Sequence, residues 1–233
     1  QARMNSKRLP GKSLMKIQGT SILEHIVNFL KFSKKIDQII VATSDLKSDD
    51  KIEKLCNKIN VNCFRGNSLN VLKRYYDCAI TFQGDVIVRI TADNPLIDPK
   101  LIDKAVSLLI NKKLDYVTNM IHQSYPEGYL VEVFTFNTLK RIYETFHDDH
   151  SKEHVTFQLR QYPPGFKIGE FFAAKNKQQP NWRLTIDYKD DFKLIKKIFS
   201  DLYVPNSFIP YNTVFNYLKL YPSALKINQK HST

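Results

Sequence analysis

Four cations, Arg3, Lys7, Arg8 and Lys12, crowd the opening stretch QARMNSKRLPGK around a Pro10–Gly11 turn, and no carboxylate accompanies them. An arginine offers phosphate oxygens a planar two-donor fork, and a lysine offers a mobile point charge. A segment carrying both suits a ligand with several negative charges, such as a polyphosphate. It is not a Walker loop, because the spacing GxxxxGK[ST] is missing. Charge alone leaves a solvated basic turn as an equally open reading. Two aspartates suggest a complementary chemistry. Asp93 lies in TADNPLIDP, after the apolar run DVIVRI, and Asp187 follows WRLTI. Each stands where a strand gives way to a turn. Asp-Asn-Pro is itself a strong turn signal, and Asp187 can equally cap the helix after it, so these residues alone leave both roles open.

The elements that must position these groups alternate through the first half. Thr20 precedes SILEHIVNFL, where Ile22, Leu23, Ile26, Val27 and Leu30 share one helical face. IDQIIVATSD reads as a buried strand. SDDKIEKLCNKI reads as a helix with acids in its first turn, where the macrodipole favours them. VNCFRG is a strand stopping at Gly66, and Leu69 to Phe82 is helical. The strand DVIVRI, a helix from Pro99 to Ile110 capped by Asp98, and the strand LDYVTN follow. This alternation predicts a three-layer αβα domain with a mostly parallel sheet and helices on both faces. Such sheets bind ligands beyond the carboxyl ends of their strands. A domain of this kind usually opens on a strand, so the first strand is expected before Gln1, outside this sequence.

The second half is less regular. SYPEGYLVEVF reads as a loop feeding a strand, FNTLKRIYETF as a helix, and SKEHVTFQLRQY as a helix ending before Pro163–Pro164. Strands are expected at FKIGEFFAA and WRLTID, and helices at DDFKLIKKIFSDL and YNTVFNYLKLYP. One domain is expected over 1–233, with 119–175 as an insertion or dimer-forming lobe and 205–233 as a helical tail.

Composition narrows the function classes. A chain of 233 residues, 42% hydrophobic and 25% charged, suits one α/β domain. No apolar run approaches the ~20 residues that span a bilayer, so no membrane partner is expected. Three cysteines without CxxC spacing fit a reducing cytoplasm rather than a disulfide framework or zinc site. The net charge of +12 admits nucleic acid, an anionic surface or phosphorylated ligands. Its lysines are spread over helix faces, and aromatics do not interleave with them as a base-stacking platform requires. No nucleic-acid partner is therefore expected.

The opening QARMNSKRLPGKSL resembles the N-terminal signature of the cytidylyltransferases that activate sugars and sugar acids for surface polysaccharides. The subgroup is the spore-coat polysaccharide biosynthesis protein F type, related to the 3-deoxy-manno-octulosonate and acylneuraminate cytidylyltransferases. Its usual form is QARMGSTRLPGK after a short hydrophobic strand. IIVATSDLKSDDKIEKLC, FRGNSLNVLKRYYDCA, VRITADNPLIDP, LDYVTN, YPEGYLVEVF, KEHVT, LTIDYKDDFKLI and LYPSALKIN follow in the family's order, so the likeness runs along essentially the whole chain. Asn5 stands where the subgroup usually has glycine, Lys7 where it has threonine, Asn70 where an acid is usual, and Leu130 where aspartate is common.

The resemblance implies a nucleotidyltransferase that moves CMP from CTP to a sugar, sugar acid or sugar phosphate with release of pyrophosphate. It implies Mg²⁺ as cofactor and a homodimer in the cytoplasm. By the same likeness Arg3, Arg8 and Lys12 grip the triphosphate, while Asp93 and Asp187 hold the metal; Arg8, Lys12 and Asp93 carry the catalysis. Ala2, Met4, Ser6, Arg65 and Arg74 complete the nucleotide site. Arg65 and Arg74 have an alternative use as ion-pair partners of Asp77 or Asp85. Tyr125, Glu132, His154 and Arg183 are implied on the acceptor side. Three other readings stay open: a different nucleotide or a glycosyl transfer on the same fold, a catalytically silent scaffold, and a nucleic-acid module resting on charge alone.

Overall fold

Turn chemistry and apolar spacing lay out the chain in a computed structural model that describes residues 1–231. Strands β1 (Lys16–Ile17) and β2 (Thr20–Ser21) pair across Gln18 and Gly19, both at positive φ, as a two-residue hairpin demands. Helix α1 (Ile22–Leu30) is capped one residue later than Thr20: Ser21 Oγ accepts the Glu24 N–H at 3.2 Å. Strand β3 (Ile40–Ser44), helix α2 (Asp50–Lys58) and strand β4 (Asn62–Gly66) form a parallel unit, in register from Ile40↔Asn62 to Ser44↔Gly66. Helix α3 (Val71–Thr81) is capped by Asn70, and strand β5 (Val86–Arg89) follows it. Asp98 caps helix α4 (Pro99–Lys112), with Pro99 at its first position.

Strands β6 (Tyr116–Thr118) and β7 (Glu132–Thr135) come next, then helices α5 (Phe136–Thr145) and α6 (Asp149–Glu153). Strand β8 (Ile168–Glu170) and helices α7 (Lys189–Leu202) and α8 (Tyr211–Leu220) complete the order. The four-stranded sheet runs β5-β7-β6-β8. Strand β7 is antiparallel to both neighbours, whereas β5, β6 and β8 share one direction. The segment 119–175 supplies β7 and β8 to this sheet.

Three expected elements differ. SKEHVTFQLRQY is not one helix: α6 stops at Glu153, and a separate 3₁₀ turn spans Gln158–Gln161. The break begins at His154, whose φ of −111° and ψ of 75° leave the helical region. FKIGEFFAA keeps only three residues as a strand. WRLTID forms no strand: among the described residues it pairs through one bridge, Glu127↔Arg183, because its neighbour is the YPEGY turn rather than a strand. The tail carries α8 and the 3₁₀ turns Pro222–Ile227 and Gln229–His231; its residues 232–233 lie outside the described residues.

The larger core joins α1, α4, α7 and α8 to the sheet through fully buried Ile22, Phe29, Ile102, Val133 and Phe199. Each such side chain contributes about 1.5–3 kcal/mol by leaving water. A smaller core, with Leu72, Tyr116, Phe134 and Leu139, lies under α3 and α5. Between β3 and β5 runs an apolar slot of about 480 Å³, lined by Val41, Val86, Val88, Ile90 and Phe82. Gln1 and Ala2 lie at its end: the Gln1 main-chain nitrogen donates to Ile90 O at 2.7 Å, and Ala2 N–H to Ala42 O at 3.1 Å. That contact starts the opening loop beside the carboxyl end of β3.

Candidate functional site

The opening loop closes on one peptide. Met4 O accepts the N–H groups of Gly11 at 2.8 Å and Ser6 at 3.0 Å. Gly11 has φ 72°, a left-handed conformation that glycine adopts without strain, and it turns the chain into the 3₁₀ turn Lys12–Leu14. Lys12 is thereby folded inward and only 8% exposed. Its ammonium donates to Asp93 Oδ2 at 3.0 Å, to Asp187 Oδ1 at 2.9 Å and to Ile186 O at 2.7 Å. Residues far apart in sequence thus converge on one nitrogen.

The two aspartate-bearing segments are sewn to each other. Asp93 O accepts the Ile186 N–H at 2.8 Å and the Thr185 hydroxyl at 3.2 Å. Thr91 Oγ1 donates to Asp93 Oδ1 at 2.5 Å and accepts from Asn94 Nδ2 at 2.9 Å, which orients the carboxylate. Asp187 is buried and cradled by cations. Arg8 reaches its Oδ1 at 2.7 Å, and Arg183 Nη2 donates to its Oδ2 at 2.7 Å. Burial alone raises a carboxyl, but Lys12, Arg183 and Arg8 override it and hold Asp187 below its usual range.

Asp187 does not cap the helix after it. Asp191 does, accepting the N–H groups of Asp187 and Tyr188, each at 2.9 Å. Arg183 Nε donates to Asp191 Oδ1 at 3.2 Å, and Arg183 Nη1 to Glu127 Oε2 at 2.5 Å. Burial raises Glu127 above its usual value even though Arg183 opposes that shift. Arg183 is therefore a buried strut between three carboxylates and holds Asp187 in place. Gly128, beside Glu127, has φ 110° and packs where a Cβ would run into the Leu184 carbonyl. No larger residue fits the YPEGY turn against the Asp187 segment.

The remaining expected residues fall in several places. Arg3 donates to Glu153 Oε1 at 2.9 Å, tying the loop to α6. Ala2 and Met4 run past the end of β3; Met4 donates its N–H to Asp49 Oδ1 at 2.7 Å, and Ser6 sits within the loop. Arg65 gives Nη1 to Asp50 at 2.6 Å and Glu53 at 2.9 Å, and its other donors to Ser44 O and Leu46 O. Its partners are thus neither Asp77 nor Asp85, and Asp77 is taken by Lys73. Arg74 is fully buried; Nη1 donates to Asn67 O at 3.1 Å, while Nε and Nη2 find no partner among the described residues.

Glu132 lies in the sheet, buried between Arg89, Thr156 and Tyr116, whose hydroxyl donates at 2.6 Å. His154 packs on His150 with ring centroids 4.5 Å apart. Burial first and then His150 lower its pKa. Tyr125 is buried against Phe171 and Tyr211. The structure thus gathers Arg8, Lys12, Asp93, Asp187 and Arg183, and sets Arg65, Glu132 and Tyr125 in other surroundings. Glu127 and Asp191 were missed; their only sequence signal is closeness to Gly128 and Asp187.

Asp93 Oδ2 and Asp187 Oδ1 both face the Lys12 ammonium, and carboxylate oxygens are the kind of ligand that Mg²⁺ prefers. No group of three or more His, Cys, Asp or Glu among the described residues could hold a metal alone. Two carboxylates suffice for Mg²⁺ when substrate phosphates and water complete its shell. Among the described residues no helix is long and apolar enough to cross a membrane.

Comparison with known proteins adds the context. The model of a family described as cytidylyltransferase matches residues 1–221. An uncharacterized protein of Methanocaldococcus jannaschii is 43% identical over 194 residues, 83% of this chain and 79% of its own length. The spore coat polysaccharide biosynthesis protein SpsF of Bacillus subtilis is 34% identical over 206 residues, covering 85% and 84% of the two chains. A solved cytidylyltransferase structure from Leptospira borgpetersenii superposes with a TM-score of 0.90 at 32% identity, over 96% of this chain and 93% of the other.

Proposed function

The chain belongs to the cytidylyltransferase family, and from that premise we propose that it transfers CMP from CTP to a sugar, sugar acid or sugar phosphate for a cell-surface glycan. An acceptor oxygen attacks the α-phosphorus in line, forming a new P–O bond. The bond from the α-phosphorus to the bridging oxygen breaks, and pyrophosphate leaves with that electron pair. The observation that carries this reading is the convergence of Arg8, Lys12, Asp93 and Asp187 on one another beyond the carboxyl end of β5. Such a reaction depends on positioning and charge neutralisation more than on covalent help.

Each residue has a separate task. Arg8 and Lys12 bind the leaving phosphates, and Arg3 extends the grip toward α6. Asp93 and Asp187 would hold Mg²⁺, which would supply neutralisation of the phosphate charge. Arg183, held by Glu127 and Asp191, keeps Asp187 aimed at that point. The polysaccharide role of SpsF supports a glycan precursor as acceptor. The reading includes a homodimer working in the cytoplasm, where CTP is made.

The test is pyrophosphate release with each of the four nucleoside triphosphates, Mg²⁺ and a panel of sugar phosphates and acidic sugars. CTP is the expected donor, and Asp93→Ala is expected to abolish turnover. Equal rates with all four triphosphates, or an Asp93→Ala variant as active as wild type, would refute the proposal.

A further inference from the structure

Asp49 stands immediately before α2, the position from which an aspartate ordinarily accepts an N–H of its own helix. It makes no such bond. Its carboxylate turns back instead and is spent entirely on the opening loop and the end of β3. Oδ1 accepts the Met4 N–H at 2.7 Å. Oδ2 accepts the Thr43 hydroxyl at 3.0 Å, the Ser44 N–H at 3.1 Å and the Ser44 hydroxyl at 2.5 Å. The residue is 1% exposed. Burial by itself raises such a carboxyl, yet the bonds from Ser44, Met4 and Thr43 outweigh it and hold Asp49 below its usual value.

An anion is thus kept out of water to hold one main-chain N–H of the loop, and that peptide is the loop's hub. The Met4 carbonyl takes the N–H groups of Ser6 and Gly11. Gly11 turns the chain into Lys12, which reaches Asp93 and Asp187. Two hydrogen bonds and one peptide bond therefore join Asp49 to the residue on which the aspartates converge. It makes no contact with either aspartate.

We infer that Asp49 is a positioning residue for CTP: by fixing the Met4 peptide it sets where Arg8 and Lys12 stand, and so controls nucleotide affinity. The inference rests on the CTP reading proposed above. If Asp49 only braced the corner between β3 and α2, its loss would lower the amount of folded enzyme and leave the KM for CTP alone.

Steady-state kinetics and calorimetric CTP titration on Asp49→Ala and Asp49→Asn separate the two. Asp49→Ala is expected to raise both KM and Kd for CTP on the order of 10- to 100-fold, as the loss of a hydrogen bond to a charged group implies. The KM for the acceptor stays within about twofold, as expected for a site that Asp49 does not touch. Asp49→Asn retains an oxygen for the Met4 N–H but not the charge, so it recovers part of that loss and leaves the KM for CTP about 3- to 10-fold above wild type; it keeps the test alive if the alanine variant does not fold. The double variant Thr43→Val, Ser44→Ala removes two hydroxyl bonds but leaves Met4 tied; it lowers the melting temperature without moving the KM for CTP. Folded Asp49 variants that bind CTP like wild type would overturn this inference alone, and so would a double variant that weakens CTP binding as much as Asp49→Ala. A wild-type chain that binds no CTP would overturn the nucleotide reading and this inference with it.

Discussion

Two arginine–carboxylate clusters lie buried in this protein, and they are finished differently. Around Glu132, 2% exposed, the carboxylate oxygens are taken by Arg89, Tyr116 and Thr156. Burial raises this carboxyl, but Arg89 and the two hydroxyls win and hold it low. Arg89 and Thr118 sit directly opposite Glu132 on the flanking strands, so the cluster also pins the register of β5, β7 and β6. Around Asp187 the inner half is as well satisfied, with Arg183, Asp191 and Glu127 locked together. The outer half is not closed: the Arg8 side chain is 53% exposed and that of Asp93 27%. A closed cluster specifies structure, and a cluster with one open side can receive a charged ligand.

That contrast can be broken by substitution. Asp93→Asn removes charge on the open side, and turnover is expected to fall by about 10³-fold or more with a melting temperature close to wild type. A pyrophosphate-release assay paired with a thermal melt checks both halves. Glu132→Ala strikes the closed cluster and leaves Arg89 buried without its counter-charge. Urea denaturation should show a loss of about 3–5 kcal/mol, while the folded fraction binds CTP normally. A KM for the acceptor raised tenfold in that variant would place Glu132 on the acceptor side, as the resemblance implies.

Gly128→Ala tests the packing that joins the YPEGY turn to the Asp187 segment. A residue forced to φ 110° against a carbonyl is expected to cost about 1–3 kcal/mol, with turnover reduced because the carboxylate shifts. The smallest effect is expected at Arg65. Its partners Asp50 and Glu53 have side chains 41% exposed, so Arg65→Ala should cost no more than about 1 kcal/mol. Its KM for CTP should equal that of wild type; a tenfold rise would return Arg65 to the nucleotide site.

Much of the site was legible in the sequence because it is local. The cations of QARMNSKRLPGK are contiguous, and Asp93 and Asp187 each follow an apolar strand-like run. What stayed hidden depends on pairing across long separations. VEVF is four residues with no turn signal to say that it inserts between β5 and β6 in the opposite direction. Asp49 reads as an ordinary helix-start acid, since Asp50 and Glu53 beside it are enough to satisfy the dipole. Arg183 reads as a cation for substrate because its three acidic partners are distributed over the YPEGY turn, the strand-end turn and α7. Lys12 gave its type and its loop, but its burial follows from where Gly11 turns the chain.

Asn228 has a practical meaning for anyone shortening this protein. Its amide donates to Arg183 O at 3.0 Å and Asp191 Oδ1 at 2.8 Å, so the last 3₁₀ turns are stitched to the strut behind Asp187. The family match ends at residue 221, seven positions earlier. A chain trimmed at that border keeps every residue of the triphosphate grip and still loses the stitch that steadies its second aspartate. Affinity tags and truncations are better placed with that amide left intact.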